Sequence, residues 1–116
     1  MMKHLTMSLA VIALAGCASL QLPTDRLERS AASIRGAEEV GALAVPAANL
    51  HLQLAKDQTA AAKRLAANGD DRAILVLARG EADAELALAI AREASVHAAA
   101  LKADEDLRTV MAGGTP

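Results

Sequence analysis

Alanine dominates this sequence, and no aromatic residue accompanies it. Of the 116 residues, 30 are alanine, while Phe, Trp and Tyr are all absent. Alanine is the strongest helix former, whereas aromatic and β-branched residues are the ones enriched in sheets. The apolar content of 53% is too high for an intrinsically disordered chain, and the length allows one domain. The sequence therefore predicts a single all-α domain.

The same composition excludes several classes of function. Without aromatic residues the chain has no stacking platform for single-stranded nucleic acid and no aromatic cage for a cation. A net charge of -2 gives no basic field that would attract a polyanion. We therefore expect no nucleic-acid partner.

The first 17 residues have the organisation of an export signal. Lys3 lies in a short basic segment, and Met7–Leu14 is an apolar run. That run is shorter than the roughly 20 residues that a membrane-spanning helix needs. Small residues follow at Ala15 and Gly16, where a processing enzyme must fit the backbone into its site. An ordinary signal peptide that happens to end beside a cysteine is one interpretation.

The segment Leu14-Ala15-Gly16-Cys17 resembles the lipobox of bacterial lipoproteins. This resemblance implies that residues 1–16 are a signal peptide and that Cys17 becomes a covalently lipidated N-terminus. A lone cysteine in an exported chain has no internal disulfide partner, and this agrees with its lipidation. Several acyl chains on one N-terminus anchor a protein firmly in a membrane.

The residues that follow the cysteine bear on the location of the protein. Residues 17–22 are predicted to form a lipidated tether. Ala18 and Ser19 stand where the resemblance would place an aspartate in a lipoprotein retained in the inner membrane. The resemblance therefore implies a bacterial envelope protein on the periplasmic face of the outer membrane, although sorting rules differ between bacteria and the inner membrane stays open.

Three helices are predicted within residues 23–111, followed by a flexible tail over residues 112–116. Pro46 is tolerated at the first position of a helix, and Asn68-Gly69 is a typical stop signal. A third helix of about 40 residues would be roughly 60 Å long, so only its first half can pack against both shorter helices. The architecture expected is an antiparallel three-helix bundle, or hairpin, with a long third helix. The predicted helices run from about Asp25, capped by Thr24, to Leu43; from Pro46 to Ala67; and from a cap at Asp70 or Asp71 to about Met111.

Apolar residues at steps of three and four indicate the face that each short helix buries. The predicted stripe of the first helix is Leu27, Ala31, Ile34 and Gly41, and that of the second helix is Ala47, Leu50, Leu54, Ala61 and Leu65.

The third helix carries a heptad seam made almost wholly of alanine. The seam consists of Ala84, Ala87, Ala91, Ala94, Ala98 and Leu101. Alanine buries little apolar area, so a seam of this kind gains stability by letting two helix backbones approach closely. Two interpretations remain open: an internal face of the bundle, or a surface whose distal half pairs with a second copy of the chain or another helical envelope protein.

The polar residues predict neither a catalytic site nor a metal site. His51 and His97 lie on different helices, and neither has a histidine or cysteine at ligand spacing. The densest acidic cluster within a helix, Glu81, Asp83 and Glu85, is interpreted as a solvated and partly paired surface. We therefore expect no enzyme, and no cofactor apart from the covalent lipid on Cys17.

A lipobox, an alanine-rich helical hairpin and a long closing helix together resemble the small envelope lipoproteins of the domain-of-unknown-function family numbered 4398. The resemblance covers about residues 22–103 and supplies no catalytic residue. The residues that carry it are Leu27–Ala31, Pro46 with Leu50 and Ala55, the Asn68-Gly69-Asp70 turn, and the segment Ala78–Ala87.

Two functions are consistent with these features. The first is a membrane-anchored, non-catalytic helical scaffold or interaction module, which requires an unpaired, partly apolar distal half of the third helix. The alternative is a binding module for a small apolar ligand or lipid, held in a closed cavity lined by Leu50, Leu54, Leu77 and Leu88.

Overall fold

The structure, a computed structural model, describes residues 18–115 and consists there of helices and their connections. A short 3-10 helix at Ala42–Ala44 joins the first two α-helices. The all-α class and the long third helix are confirmed, whereas the proposed signal peptide and the lipobox through Cys17 lie outside the described residues. The α-helices are α1 (Thr24–Glu39), α2 (Pro46–Ala67) and α3 (Arg72–Met111).

Helix α1 differs from its prediction at both ends. Thr24 is the first helical residue and not a cap, since the capping position is occupied by Pro23 and no side chain caps the helix. The helix ends at Glu39 because Gly41 has a φ of 90°, a left-handed conformation that glycine adopts at little cost. Gly41 therefore does not belong to the apolar stripe of α1.

Helix α3 is the central element, and both shorter helices pack on its first half. Glu81 of α3 accepts a hydrogen bond from Arg29 of α1, and Leu88 lies beside Gly36 one to two turns further along both helices. Helices α1 and α3 therefore run parallel to each other. Helix α2 runs antiparallel to α3 after a tight turn at Asn68–Asp71, and it touches α1 much less than it touches α3.

The core is built mainly from alanine. Within residues 18–115, only two leucines are fully buried, Leu52 on α2 and Leu77 on α3. Gly80 shows how closely the backbones approach, because a Cβ placed there would lie 3.3 Å from the carbonyl oxygen of Ala55. The buried residues are Ala48, Leu52, Ala55, Ala62 and Ala66 on α2, and Ala73, Leu77, Gly80, Ala84, Ala87 and Ala91 on α3.

The predicted buried face of α2 is wrong. Leu50 is 59% exposed and Leu54 is 37% exposed, and Ala47 is also exposed, while Ala61 and Leu65 are only half-buried. Helix α2 has two faces with apolar residues at helical spacing. The alanine-rich one faces α3 because it allows the closer approach to Gly80.

On α1, too, the face that packs against the core differs from the predicted stripe, which is only half-buried. Leu27, Ala31 and Ile34 lie at the side of the helix, while Ser30 and Ala37 face the core. The hydroxyl oxygen of Ser30 lies 3.3 Å from that of Thr59, so the small polar side chain has a partner in its buried position.

Residues 18–22, predicted as a tether, pack against the end of the bundle. The N–H of Leu20 donates a hydrogen bond to the carbonyl of Ala66, and Leu22 is 8% exposed within the core. The carbonyl of Ala18 lies beside Gly69, in the turn between α2 and α3. Ala18, the first described residue, therefore lies at the end of the bundle where α3 begins.

Candidate interaction surface

The alanine seam of α3 is divided by the end of the bundle. Ala84, Ala87 and Ala91 are buried against the two shorter helices, whereas Ala94 is half-buried and both Ala98 and Leu101 are exposed. Ala91 is the last buried residue of α3. The seam is thus an internal face along its first half and an exposed surface along its second half. Pairing of that second half with another helix stays a prediction.

The part of α3 from Arg92 to Met111, here called the distal half, extends beyond the bundle. At 1.5 Å per residue this segment is roughly 30 Å long. Ion pairs at i,i+4 spacing support the helix there: Lys102 pairs with Asp106, and Arg108 pairs with Asp104. Such pairs stabilise a helix by about 0.2–0.5 kcal/mol each. These ion pairs therefore help to keep the distal half helical without a packing partner.

The distal half exposes large apolar side chains as well as charged ones. Solvent reaches more than half of the surface of each, and none is buried against another part of the described chain. Isolated exposed apolar residues are common in proteins, but a series along one unpartnered helix is typical of an interaction site. Sequence reasoning identified only Leu101 among them. The exposed fractions are Val96 69%, Leu101 59%, Leu107 57%, Val110 52% and Met111 79%.

The acidic cluster of α3 joins the helices instead of forming a solvated surface, so that interpretation is wrong for two of its three members. The carboxylate of Glu81, whose side chain is 13% exposed, pairs with Arg29 at 2.8 Å and Arg26 at 3.5 Å. The side chain of Asp83 is 20% exposed and pairs with His51 of α2. Glu85 alone is exposed. The first two carboxylates point toward α1 and α2, a placement that depends on which faces of three helices meet.

Asp83 holds two side chains of α2. Its Oδ1 lies 2.7 Å from Nδ1 of His51, and its Oδ2 accepts a hydrogen bond of 2.9 Å from Nε2 of Gln58. No hydroxyl or thiol nucleophile takes part in these hydrogen bonds. Across residues 18–115, no three His, Cys, Asp or Glu side chains converge as metal ligands would. The arrangement is a polar clamp between two helices.

The four leucines predicted to line a closed ligand cavity are not brought together. Leu77 is fully buried, whereas Leu50 is 59% exposed and lies on the outside of α2. An open groove of about 360 Å³ lies instead between α1 and α2. Its apolar lining includes the half-buried stripe of α1, and its basic residues are Arg35, Lys56 and Lys63.

A shallower depression of about 470 Å³ lies beside the N-terminal segment, where Gln21, Leu22 and Lys63 contribute to its lining. It surrounds the place where residues 18–22 pack on the end of α2. Within residues 18–115, no helix has the length and apolar content that crossing a bilayer requires.

None of the known protein families, curated proteins or solved structures compared with this chain matched it. The resemblance to the envelope lipoprotein family numbered 4398 therefore stays a prediction.

Proposed function

We propose that this protein is a lipid-anchored, non-catalytic interaction module of the bacterial cell envelope, in which α3 presents a surface for pairing with another helix. The observation that carries the proposal is the distal half of α3, roughly 30 Å of unpartnered helix that exposes Leu101 on the side of the alanine seam and Val96 and Leu107 on the outer side.

Pairing gives these side chains the burial that the described chain does not provide. Fully burying an exposed valine or leucine stabilises a complex by about 1.5–3 kcal/mol. Several such residues are needed, because association also costs translational freedom and side-chain entropy. Anchoring lowers part of that cost, since two proteins held at one membrane meet at a raised effective concentration.

The position of the N-terminus supports this arrangement. Ala18 packs beside Gly69, so a lipid on Cys17 would attach the bundle at the end where α3 begins. The distal half of α3 would then lie at the far end of the bundle from the lipid, free for a partner. The lipobox and the absence of aspartate after Cys17 support a location at the periplasmic face of the outer membrane.

The groove between α1 and α2 is the place where the alternative function, binding of an apolar ligand or lipid, would reside. Its volume of about 360 Å³ falls within the range of ligand sites. Ligand sites, however, enclose most of the surface of their ligand, and this groove is open to solvent. Helix pairing is therefore the function that the surface supports better.

Two measurements on the full-length protein in its bacterial envelope test the proposal. The first is metabolic labelling with a radioactive fatty acid. We expect label in the wild type and none in Cys17→Ser, which should also be released from the membrane fraction. Unlabelled wild-type protein in the soluble fraction would contradict the anchoring.

The second measurement is photo-crosslinking from single positions that carry a photoreactive amino acid. Leu101 on the distal half and Leu50 on α2 form a matched pair, because each leucine is 59% exposed. We expect a crosslinked protein adduct from position 101 and little or none from position 50. Equal yields from both positions, or no adduct from position 101, would show that the distal half has no dedicated partner.

A further inference from the structure

The outer face of α3, opposite the bundle, carries a second heptad pattern along the entire helix. Its positions alternate steps of four and three, and every one of them is exposed. Nine positions are apolar, and the remaining two are Arg79 and Glu93. We call these eleven residues the outer stripe: Leu75, Arg79, Ala82, Leu86, Ala89, Glu93, Val96, Ala100, Ala103, Leu107 and Val110.

A stripe of this period is the pattern by which two helices pack in a coiled coil. The bundle does not use it, since the residues of α3 that face α1 and α2 lie on the other side of the helix. Three large members of the stripe are well exposed: Leu75 at 61%, Leu86 at 43% and Val96 at 69%. The stripe is thus a continuous apolar surface without a partner in the described chain.

The charges on this face determine which partner and which orientation fit. Arg79 and Glu93 stand seven residues before and seven residues after Leu86. Glu85 and Arg92 flank the stripe on one side, at the g positions next to the core of a coiled coil. All four are exposed, and within residues 18–115 none of them forms an ion pair.

We propose that the outer stripe is the interface of an antiparallel homodimer, centred between Leu86 and Ala89. Reversing the direction of a second α3 about this centre places Arg79 within one turn of the partner's Glu93, and Glu85 within one turn of the partner's Arg92. Because the dimer is two-fold symmetric, each pair occurs twice. A parallel dimer would instead place Arg79 against its own copy and Glu93 against its own copy, within an otherwise apolar seam. Like charges in such positions are destabilising.

The small residues of the stripe agree with this pairing. With the centre between Leu86 and Ala89, each Leu86 lies opposite the partner's Ala89, so a large side chain meets a small one in both central layers. Alanine at these positions lets the two helices approach closely, as the alanine face of α2 does with α3 inside the bundle. Small side chains would therefore allow close helix approach on both sides of α3.

This dimer has a defined geometry with respect to the two N-termini. Arg72, the first residue of α3, would lie near the level of the partner's Ala103, so the two bundle ends where α3 begins would be roughly 45 Å apart. The last turns of each α3 would extend beyond the overlap. If both lipids enter one membrane, the dimer lies along its surface.

The experiment is sedimentation equilibrium of the full-length chain in detergent, with charge reversals at the two stripe positions. We expect the wild type to dimerise, and Arg79→Glu or Glu93→Arg to raise the dissociation constant at least about tenfold. The double variant Arg79→Glu/Glu93→Arg should restore dimerisation, because the complementary pairs are re-formed. Arg35→Glu, an equal change of charge on α1, is the control and should leave the dissociation constant unchanged. A monomeric wild type, or single reversals without effect, would overturn the proposal.

A crosslinking measurement tests the orientation separately. In a Cys17→Ser background, chains carrying Leu75→Cys and differently tagged chains carrying Ala100→Cys are mixed and treated with a short bismaleimide. The antiparallel dimer predicts products that contain one chain of each kind. Products formed mainly by two Leu75→Cys chains, or no product at all, would overturn the antiparallel orientation.

The inference goes beyond the proposed function, and the two fail in different ways. Leu101 is not part of the outer stripe, so an adduct between position 101 and another envelope protein can persist in a chain that never dimerises. Conversely, dimerisation in detergent does not require lipid on Cys17.

Discussion

Nδ1 of His51 on α2 lies 2.7 Å from Oδ1 of Asp83 on α3, which links two helices whose residues are 32 positions apart in the sequence. Gln58 donates to the other oxygen of the same carboxylate. One side chain therefore fixes both the rotation and the register of α2 against α3.

We expect Asp83→Ala to lower the free energy of unfolding by about 1–2 kcal/mol, because two partly buried polar groups lose their acceptor. Urea unfolding followed by circular dichroism measures the change. Asp57→Ala is the matched control, since Asp57 is exposed on α2 and forms no ion pair within residues 18–115. Equal losses from the two substitutions would show that the clamp contributes nothing specific.

Gly80 and Gly36 are both helical glycines, but their surroundings differ. A Cβ at position 80 would lie 3.1 Å from Oγ1 of Thr59 and 3.3 Å from the carbonyl oxygen of Ala55, which belongs to the backbone of α2. A Cβ at position 36 would meet only the flexible end of Leu88, at 3.3 Å. Relief of the close contact therefore requires α2 to move in the first case and only a side chain to move in the second.

We expect Gly80→Ala to destabilise the bundle by about 1–2 kcal/mol despite the better helix propensity of alanine. Gly36→Ala should stabilise it by up to about 1 kcal/mol, because the propensity gain is retained. Thermal unfolding of both variants beside the wild type checks the signs. Stabilisation by both substitutions would mean that α2 and α3 are not in close backbone contact at position 80.

Local sequence signals predict the helices well, but they do not determine which helix faces pack together. Pro46 and Asn68-Gly69 mark the bounds of α2 because a proline start and a glycine stop act within one turn of the chain. The apolar stripe predicts an end of α1 that is too late, because it includes Gly41, a glycine whose left-handed conformation itself ends the helix.

The buried face of α2 illustrates the limit of a single-helix pattern. Leucines at positions 50 and 54 and alanines at positions 48 and 55 both have helical spacing, so periodicity alone permits either face to be buried. Which face of α2 is buried depends on Gly80 of α3, because the space at Gly80 admits the backbone of α2 but not a large side chain. The length of α3 alone predicts its free distal half, since a helix of 40 residues is longer than either of the helices that pack on it.

The division of the alanine seam predicts opposite results for one substitution at two of its positions. Ala87 is fully buried between helices, whereas Ala98 is exposed beyond the bundle. Ala87→Leu should destabilise the chain by about 1–3 kcal/mol through overpacking. Ala98→Leu should change the stability by less than about 0.5 kcal/mol, because leucine and alanine have similar helix propensities and no neighbour is displaced. Denaturant midpoints of the two variants, measured at equal protein concentration, give the comparison. A loss at position 98 as large as that at position 87 would contradict the division.

The first turn of α3 predicts a pH dependence. Asp70 accepts hydrogen bonds from the guanidinium and from the backbone N–H of Arg72, and these lower the pKa of its carboxyl from 3.8 to about 2. A carboxyl whose pKa is lower in the folded chain than in the unfolded chain stabilises the fold above the unfolded pKa. That contribution is lost as the pH falls from 3.8 toward 2.

We therefore expect wild type to unfold at a higher temperature than Asp70→Asn at neutral pH, and the difference to close as the pH approaches about 2. Melting temperatures followed by circular dichroism across this range measure it. In an Arg72→Ala background the same substitution should have a smaller effect at neutral pH, because the main cause of the lowered pKa has been removed. A difference that stays constant down to pH 2, or one that is unchanged without Arg72, would show that the ion pair does not support the start of α3.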